Sequence, residues 1–180
     1  MHALIRKLSP LILPVLLGAC GLGRSLSQPY TEPTSGDTAQ MRVVTNGRVR
    51  LIPEQSCVSW DNKDLGTVVS NNIHVGVTPH LNGQSLGMMP ALDPALTDKG
   101  YLSAEVQVRA DKPLTLYFDI EEISGSWKYW CEPIAASFIP MKGESYEAFA
   151  SMDDGKCRLN VKSLSKPGKR PAQRWVERCS

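Results

Sequence analysis

The sequence predicts an all-β fold, an antiparallel two-sheet β-sandwich, with a small closed β-barrel as the alternative. Three observations predict it. Apolar and polar residues alternate with a period of two in several stretches. Those stretches run for about five to nine residues, recur roughly every ten to twenty positions and are bounded by turn residues. Nowhere does a three-and-four apolar spacing persist for the length of an ordinary helix.

In chain order, the first segment lies outside that domain. Arg6 and Lys7 precede an apolar run from Leu8 to Leu17, which ends on Gly18 and Ala19 before Cys20. Charge, a short apolar run and small residues ahead of a cut are the layout of a secretory signal. The run is too short to span about 30 Å of hydrocarbon, and Pro10 and Pro14 interrupt it. Leu17-Gly18-Ala19-Cys20 resembles the lipobox of bacterial lipoproteins. The resemblance implies that residues 1–19 are removed and that Cys20 carries a diacylglyceryl group on sulfur and an N-acyl chain such as palmitate. With Gly21 rather than Asp after the cysteine, it also implies delivery to the outer membrane, facing the periplasm. Two or three acyl chains anchor a protein stably, each buried methylene contributing about 0.8 kcal/mol. Residues 21–38, GLGRSLSQPYTEPTSGDT, are rich in Gly, Ser, Pro and Thr with no apolar period. They read as a flexible tether with a reach of roughly 25 Å.

The β domain is expected over 39–164. Met41, Val43, Val49 and Leu51 alternate with Arg42, Val44, Arg48 and Arg50 around Asn46-Gly47, a hairpin signal. A three-residue Thr45-Asn46-Gly47 loop would pair Val43 with Val49 and Met41 with Leu51 on one inner face, with Gly47 in the left-handed position that closes the loop. That register sets Arg42 opposite Arg50 on the outer face, where like charges repel. A carboxylate from the next strand, an anion or a partner must therefore separate them. Leu65 to Ser70 reads as a short strand. Residues 71–100 carry seven glycines and prolines and Met88-Met89, with one turn of helix capped at Asp93-Pro94.

Leu102, Ala104, Val106, Val108 and Ala110 then face inward, Asp111-Lys112-Pro113 turns the chain, and Leu114, Leu116, Phe118 and Ile120 face inward again, a second predicted hairpin. Strands at 126–131, 146–151 and 157–164 follow, the last two joined across Asp153-Asp154-Gly155. Residues 165–180 form a basic C-terminal tail, with Lys166, Lys169, Arg170, Arg174 and Arg178 against Glu177. Phe138 to Ala148, with Ser85-Leu86-Gly87-Met88 and the flanking cysteines, resembles a loose set of small proteobacterial outer-membrane lipoproteins. That resemblance implies a shared β domain and no particular activity.

Removing residues 1–19 takes away Arg6 and Lys7 and no acid, so the 20 basic and 18 acidic residues of the whole chain become 18 of each. A domain without net charge is not a general nucleic-acid binder. Cys57, Cys131, Cys157 and Cys179 make an even set in an oxidising compartment and read as two disulfides. Three pairings are possible. The preferred one joins Cys131 to Cys157, on neighbouring predicted strands, and Cys57 to Cys179. No two cysteines have zinc-site spacing, and no cofactor motif stands out.

Gly83-Gln84-Ser85-Leu86-Gly87 fits the nucleophile elbow of hydrolases, but His2, His74 and His80 all precede Ser85, so the usual downstream base is missing. Ser163-Leu164-Ser165-Lys166 fits SxxK without its companion motifs. Asp119, Glu121 and Glu122 read as a solvated strand end rather than a calcium site. The candidate binding residues are Trp127, Tyr129 and Trp130, whose alternation on a strand forces one aromatic face outward. Met88 and Met89, as an adaptable surface, and the facing pair Arg42 and Arg50 join them.

These features predict a non-catalytic binding module attached to the membrane through its lipid anchor, with another envelope protein or peptidoglycan as partner. The alternatives are an immunity protein or inhibitor acting on a secreted lipase or cell-wall hydrolase and, last, a serine hydrolase at Ser85.

Overall fold

The computed structural model describes residues 28–62, 64–71, 80–124 and 127–180, with the backbone alone over 121–124 and 127–129. The signal segment and Cys20 lie outside the described residues. The strands are β1 (Thr38–Thr45), β2 (Arg48–Pro53), β3 (Gly66–Ser70), β4 (Leu102–Arg109), β5 (Leu114–Asp119), β6 (Glu121–Ser124), β7 (Trp127–Trp130), β8 (Ile134–Phe138), β9 (Ser145–Asp153), β10 (Lys156–Ser163) and β11 (Arg174–Trp175). One short helix, α1 (Pro94–Asp98), starts where expected: the Asp93 carboxylate caps the Ala95 amide and Pro94 opens the turn. The strands form a four-stranded sheet, β10-β9-β1-β4, a five-stranded sheet, β11-β8-β5-β2-β3, and the separate ribbon β6-β7. The fold is a sandwich of two sheets rather than a closed barrel.

Between the sheets lies the core that the alternation predicts. Met41, Val43, Val49, Leu51, Val106, Val108, Leu116 and Phe118 are fully buried in one cluster, each such side chain contributing about 1.5–3 kcal/mol. Sheet membership differs from expectation. β1 pairs with β4 and β9, whereas β2 pairs with β3 and β5, so Thr45-Asn46-Gly47 is a corner from one sheet to the other and not a hairpin loop. Asp111-Lys112-Pro113 is likewise a corner, from β4 to β5. Gly47 is needed there for closeness: a Cβ would sit 2.6 Å from the Phe118 ring and 2.9 Å from the Asp119 carbonyl oxygen. The β9–β10 hairpin is as predicted, with Asp154 and Gly155 both at positive φ in a two-residue loop. β1 and β9 run parallel, joining residues about a hundred positions apart.

Both predicted disulfides form: Cys57–Cys179, with Cα atoms 5.1 Å apart, and Cys131–Cys157, 5.4 Å apart. Cys131 lies just past β7, so the second bridge fastens the ribbon side of the chain to β10.

The N-terminal segment corrects the tether reading near its end; residues 20–27 lie outside the described residues. At 28–30 the chain is packed, while residues 34–37 stay exposed: Thr67 donates to the Gln28 carbonyl, Tyr30 donates to the Thr67 carbonyl, and the Tyr30 ring is buried with its hydroxyl bonded to the Gln107 carbonyl. Gly66 permits this approach, since a Cβ there would fall 2.3 Å from Tyr30 Cα. The basic tail is also built in. β11 pairs with β8, and the Val58 amide donates to the Glu177 carbonyl beside the Cys57–Cys179 bridge.

Candidate functional site

The two outer faces of the sandwich are covered differently. Across the four-stranded sheet, the β10-β9-β1-β4 register places Lys162, Glu147, Arg42 and Glu105 in one transverse row of alternating charge. Lys162 Nζ lies 2.7 Å from Glu147, Arg42 Nη1 3.1 Å from Glu147, and Arg42 Nη2 2.8 Å from Glu105. Arg42 is wholly buried and also donates to the Met88 carbonyl. The other Glu105 oxygen accepts from the Ser85 hydroxyl and from the Leu86 and Met88 amides, so the row clamps the 85–88 loop onto the sheet. Burial pushes the Glu105 carboxyl up. The Met88 amide, Arg42, the Leu86 amide and Ser85 all favour its charged form, however, and together they hold it below the usual glutamate range.

Over the five-stranded sheet, Ile52, Val58, Leu65 and Ala135 make a second small core beneath Trp60, Tyr117 and Val176. Arg50 is buried here, 5.9 Å from the Trp60 ring and 5.8 Å from the Tyr117 ring, with Asp119 accepting from its Nη1 at 3.2 Å.

Arg42 and Arg50 therefore do not face each other, and neither is a surface binding residue: carboxylates occupy each on opposite faces of the sandwich. Met88 is buried, plugging the loop, while Met89 beside it is exposed. Trp130 is about half exposed; Trp127 and Tyr129 belong to β7, and their side chains lie outside the described residues. Ser85 is held by Glu105, an ion-paired carboxylate of lowered basicity, which is the wrong partner for activating a hydroxyl. Ser163 accepts from the Lys166 amide while Lys166 Nζ pairs with Glu144, so the SxxK pair is structural. Asp119 is taken by Arg48 and Arg50. His80 accepts from the Asn82 amide; His74 lies outside the described residues. Among the described residues no cluster of His, Cys, Asp or Glu has metal-binding geometry.

The accessible surface with distinctive chemistry joins the cationic tail that the sequence marked to apolar residues it did not. Residues 169–175 cross the open side of the sandwich between β10 and β8. A groove of about 660 Å³ runs between β10 and this crossing segment, bordered by Arg158, Leu159, Arg170, Gln173 and Trp175. No carboxylate lines it. Trp175 is mostly exposed, and Ile139 and Met141, each more than half exposed, border the adjoining hollow of about 400 Å³ with Lys169 and Arg170. Among the described residues, Lys169, Arg170 and Arg174 have no carboxylate at ion-pair distance. The clustered cations of the tail were visible in the sequence. Their union with Ile139 and Met141 was not, because β8 went unrecognised and its loop had no assigned neighbour.

Against known proteins, the chain matches no family model and no curated protein.

Proposed function

We propose that the protein is a non-catalytic recognition module of the bacterial outer membrane, held by an acylated Cys20, which binds another envelope protein through the basic, aromatic groove beside β10. One observation carries this reading: two adjoining hollows that share Arg170 bring cations without ionic partners beside exposed Trp175 in one and exposed Ile139 and Met141 in the other. Exposed aromatic and arginine side chains bordering a cavity are the composition of binding hot spots. The serine and arginine groups that invited a catalytic or surface reading are committed to the fold instead. The anchor is supported by the lipobox resemblance, and an oxidising compartment by two formed disulfides.

The test is a photo-crosslinking side chain installed at Trp175, and separately at Trp130, in the full chain within intact cells. The reading predicts a protein adduct from position 175 that Arg170→Ala weakens about tenfold, the loss of one hot-spot residue. Adducts confined to position 130, or none from 175 in a folded protein, overturn it. Mass spectrometry of the same product reports the lipid on Cys20, and an unmodified thiol there removes the anchor from the proposal.

A further inference from the structure

β10 is the outer strand of its sheet, and the way its free edge is closed is unusual. The outward backbone groups belong to the odd-numbered residues: the Val161 amide donates to Gln173 Oε1 at 3.1 Å, and the Leu159 carbonyl accepts from Gln173 Nε2 at 3.4 Å. A residue of a parallel neighbouring strand makes this same pair of bonds, accepting from one residue and donating to the residue two before it. One side-chain amide therefore stands in for a strand. Farther along, the Ser163 amide donates to the Lys169 carbonyl. Because amide and carbonyl of one residue point the same way in a strand, the Leu159 amide and the Val161 carbonyl also face the groove. Among the described residues nothing pairs with them. An exposed strand edge is a template for an incoming strand.

Charge selects the occupant. Arg158 and Arg170 border the groove without any lining carboxylate, and Trp175 offers a flat apolar contact. Arg158 meets only Asp153, at 3.9 Å with both groups well exposed.

Resting on the recognition reading above, we infer that β10 takes up an extended acidic peptide segment of the partner as an added strand, and that this segment displaces the Gln173 carboxamide. A glycan or a lipid headgroup supplies the negative charge but not the alternating amides and carbonyls that this edge presents.

The probe is a panned library of strand-length peptides alternating acidic and apolar residues, titrated against the full mature chain. The best binder is then remade with N-methyl groups on every second amide, which keeps its charge and removes its ladder donors. Binding of the parent peptide is expected to slow hydrogen exchange at the Leu159 amide. N-methylation on the edge-facing set should weaken binding at least tenfold, and Gln173→Ala should tighten it several-fold, since no carboxamide then competes. The inference is overturned if no library member binds, if the methylated peptide binds equally, or if anionic vesicles or peptidoglycan fragments protect the same amide better than any peptide. If crosslinks still map to Trp175 in those cases, the recognition reading survives and only the strand-addition mode fails.

Discussion

The two open sides of the sandwich are closed by different means. Where β3 lies beside β4, the closure is mostly backbone. Tyr30 pairs with Thr67, Leu81 donates to the Val68 carbonyl, Gly83 donates to the Ser103 carbonyl, and Gln84 accepts from the Glu105 amide. The Asn82 side chain bonds both the amide and the carbonyl of Ser70. Where β10 lies beside β8, closure depends on the two-residue strand β11, on the Gln173 carboxamide, on one backbone bond from Ser163 to Lys169 and on the Cys131–Cys157 bridge, with Cys57–Cys179 farther along. A backbone that continues the ladder satisfies every edge group in its path, whereas a single side chain satisfies one pair and leaves the groups beside it available. The first side is therefore architecture and the second an opening with a latch.

That contrast is open to attack from both ends. Removing Glu105 should have the largest effect, because Glu105→Ala leaves Arg42 with one carboxylate fewer and strips acceptors from the Leu86 and Met88 amides. A loss of about 3–5 kcal/mol in urea unfolding is expected, with fast exchange spreading through 84–88 while β11 stays protected. Breaking Cys57–Cys179 with paired serines, a bridge that closes 122 residues of chain, should cost about 2–5 kcal/mol. It should loosen 174–178 without exposing the Thr67 amide; equal loosening on both sides would erase the distinction drawn between them.

Gly66→Ala comes next, at about 1–3 kcal/mol, since the added Cβ would overlap backbone atoms of Pro29 and Tyr30 and force that segment off β3. Its signature is a fluorescence or exchange change at Tyr30. Gln173→Ala is the smallest, about 1 kcal/mol or less, read as faster exchange at the Val161 amide with the melting temperature nearly unchanged.

Acid supplies a fifth test. The folded Glu105 carboxyl titrates below its ordinary value of 4.5, so the stability it contributes is complete above that pH and drains away as pH falls through the lower, folded value. Glu105→Gln should flatten this part of the pH–stability curve.

Much of the fold was legible because alternation reports which face a residue takes. Met41, Val43, Val49, Leu51 and the inward residues of β4 and β5 occupy the core as read. Alternation does not report which strand lies alongside. Val43 and Val49 point into the same core whether the chain between them doubles back in one sheet or crosses to the other, so the two corners passed for hairpins. The error carried the two arginines with it, since Arg42 and Arg50 on one face differ from Arg42 and Arg50 on opposite faces. Non-local register also hid the charged row: Arg42, Glu105 and Glu147 are adjacent only because β1 accepts β4 on one side and β9, in parallel, on the other. Tyr30 was masked by the Gly, Pro and Ser around it. Gln173 carried no signal at all, because a side-chain amide that imitates a strand leaves no periodicity behind.

If Cys20 carries the proposed anchor, the docking of Pro29 against Thr67 has a geometric outcome. Between Cys20 and Gln28 lie seven residues, a leash no longer than roughly 3.3–3.6 Å per residue. It is made fast at the β3 flank, and β10 is on the far flank. Under the proposed anchoring, the membrane attachment enters the domain at the flank away from β10, so the latched edge is the one farther from the point of mooring.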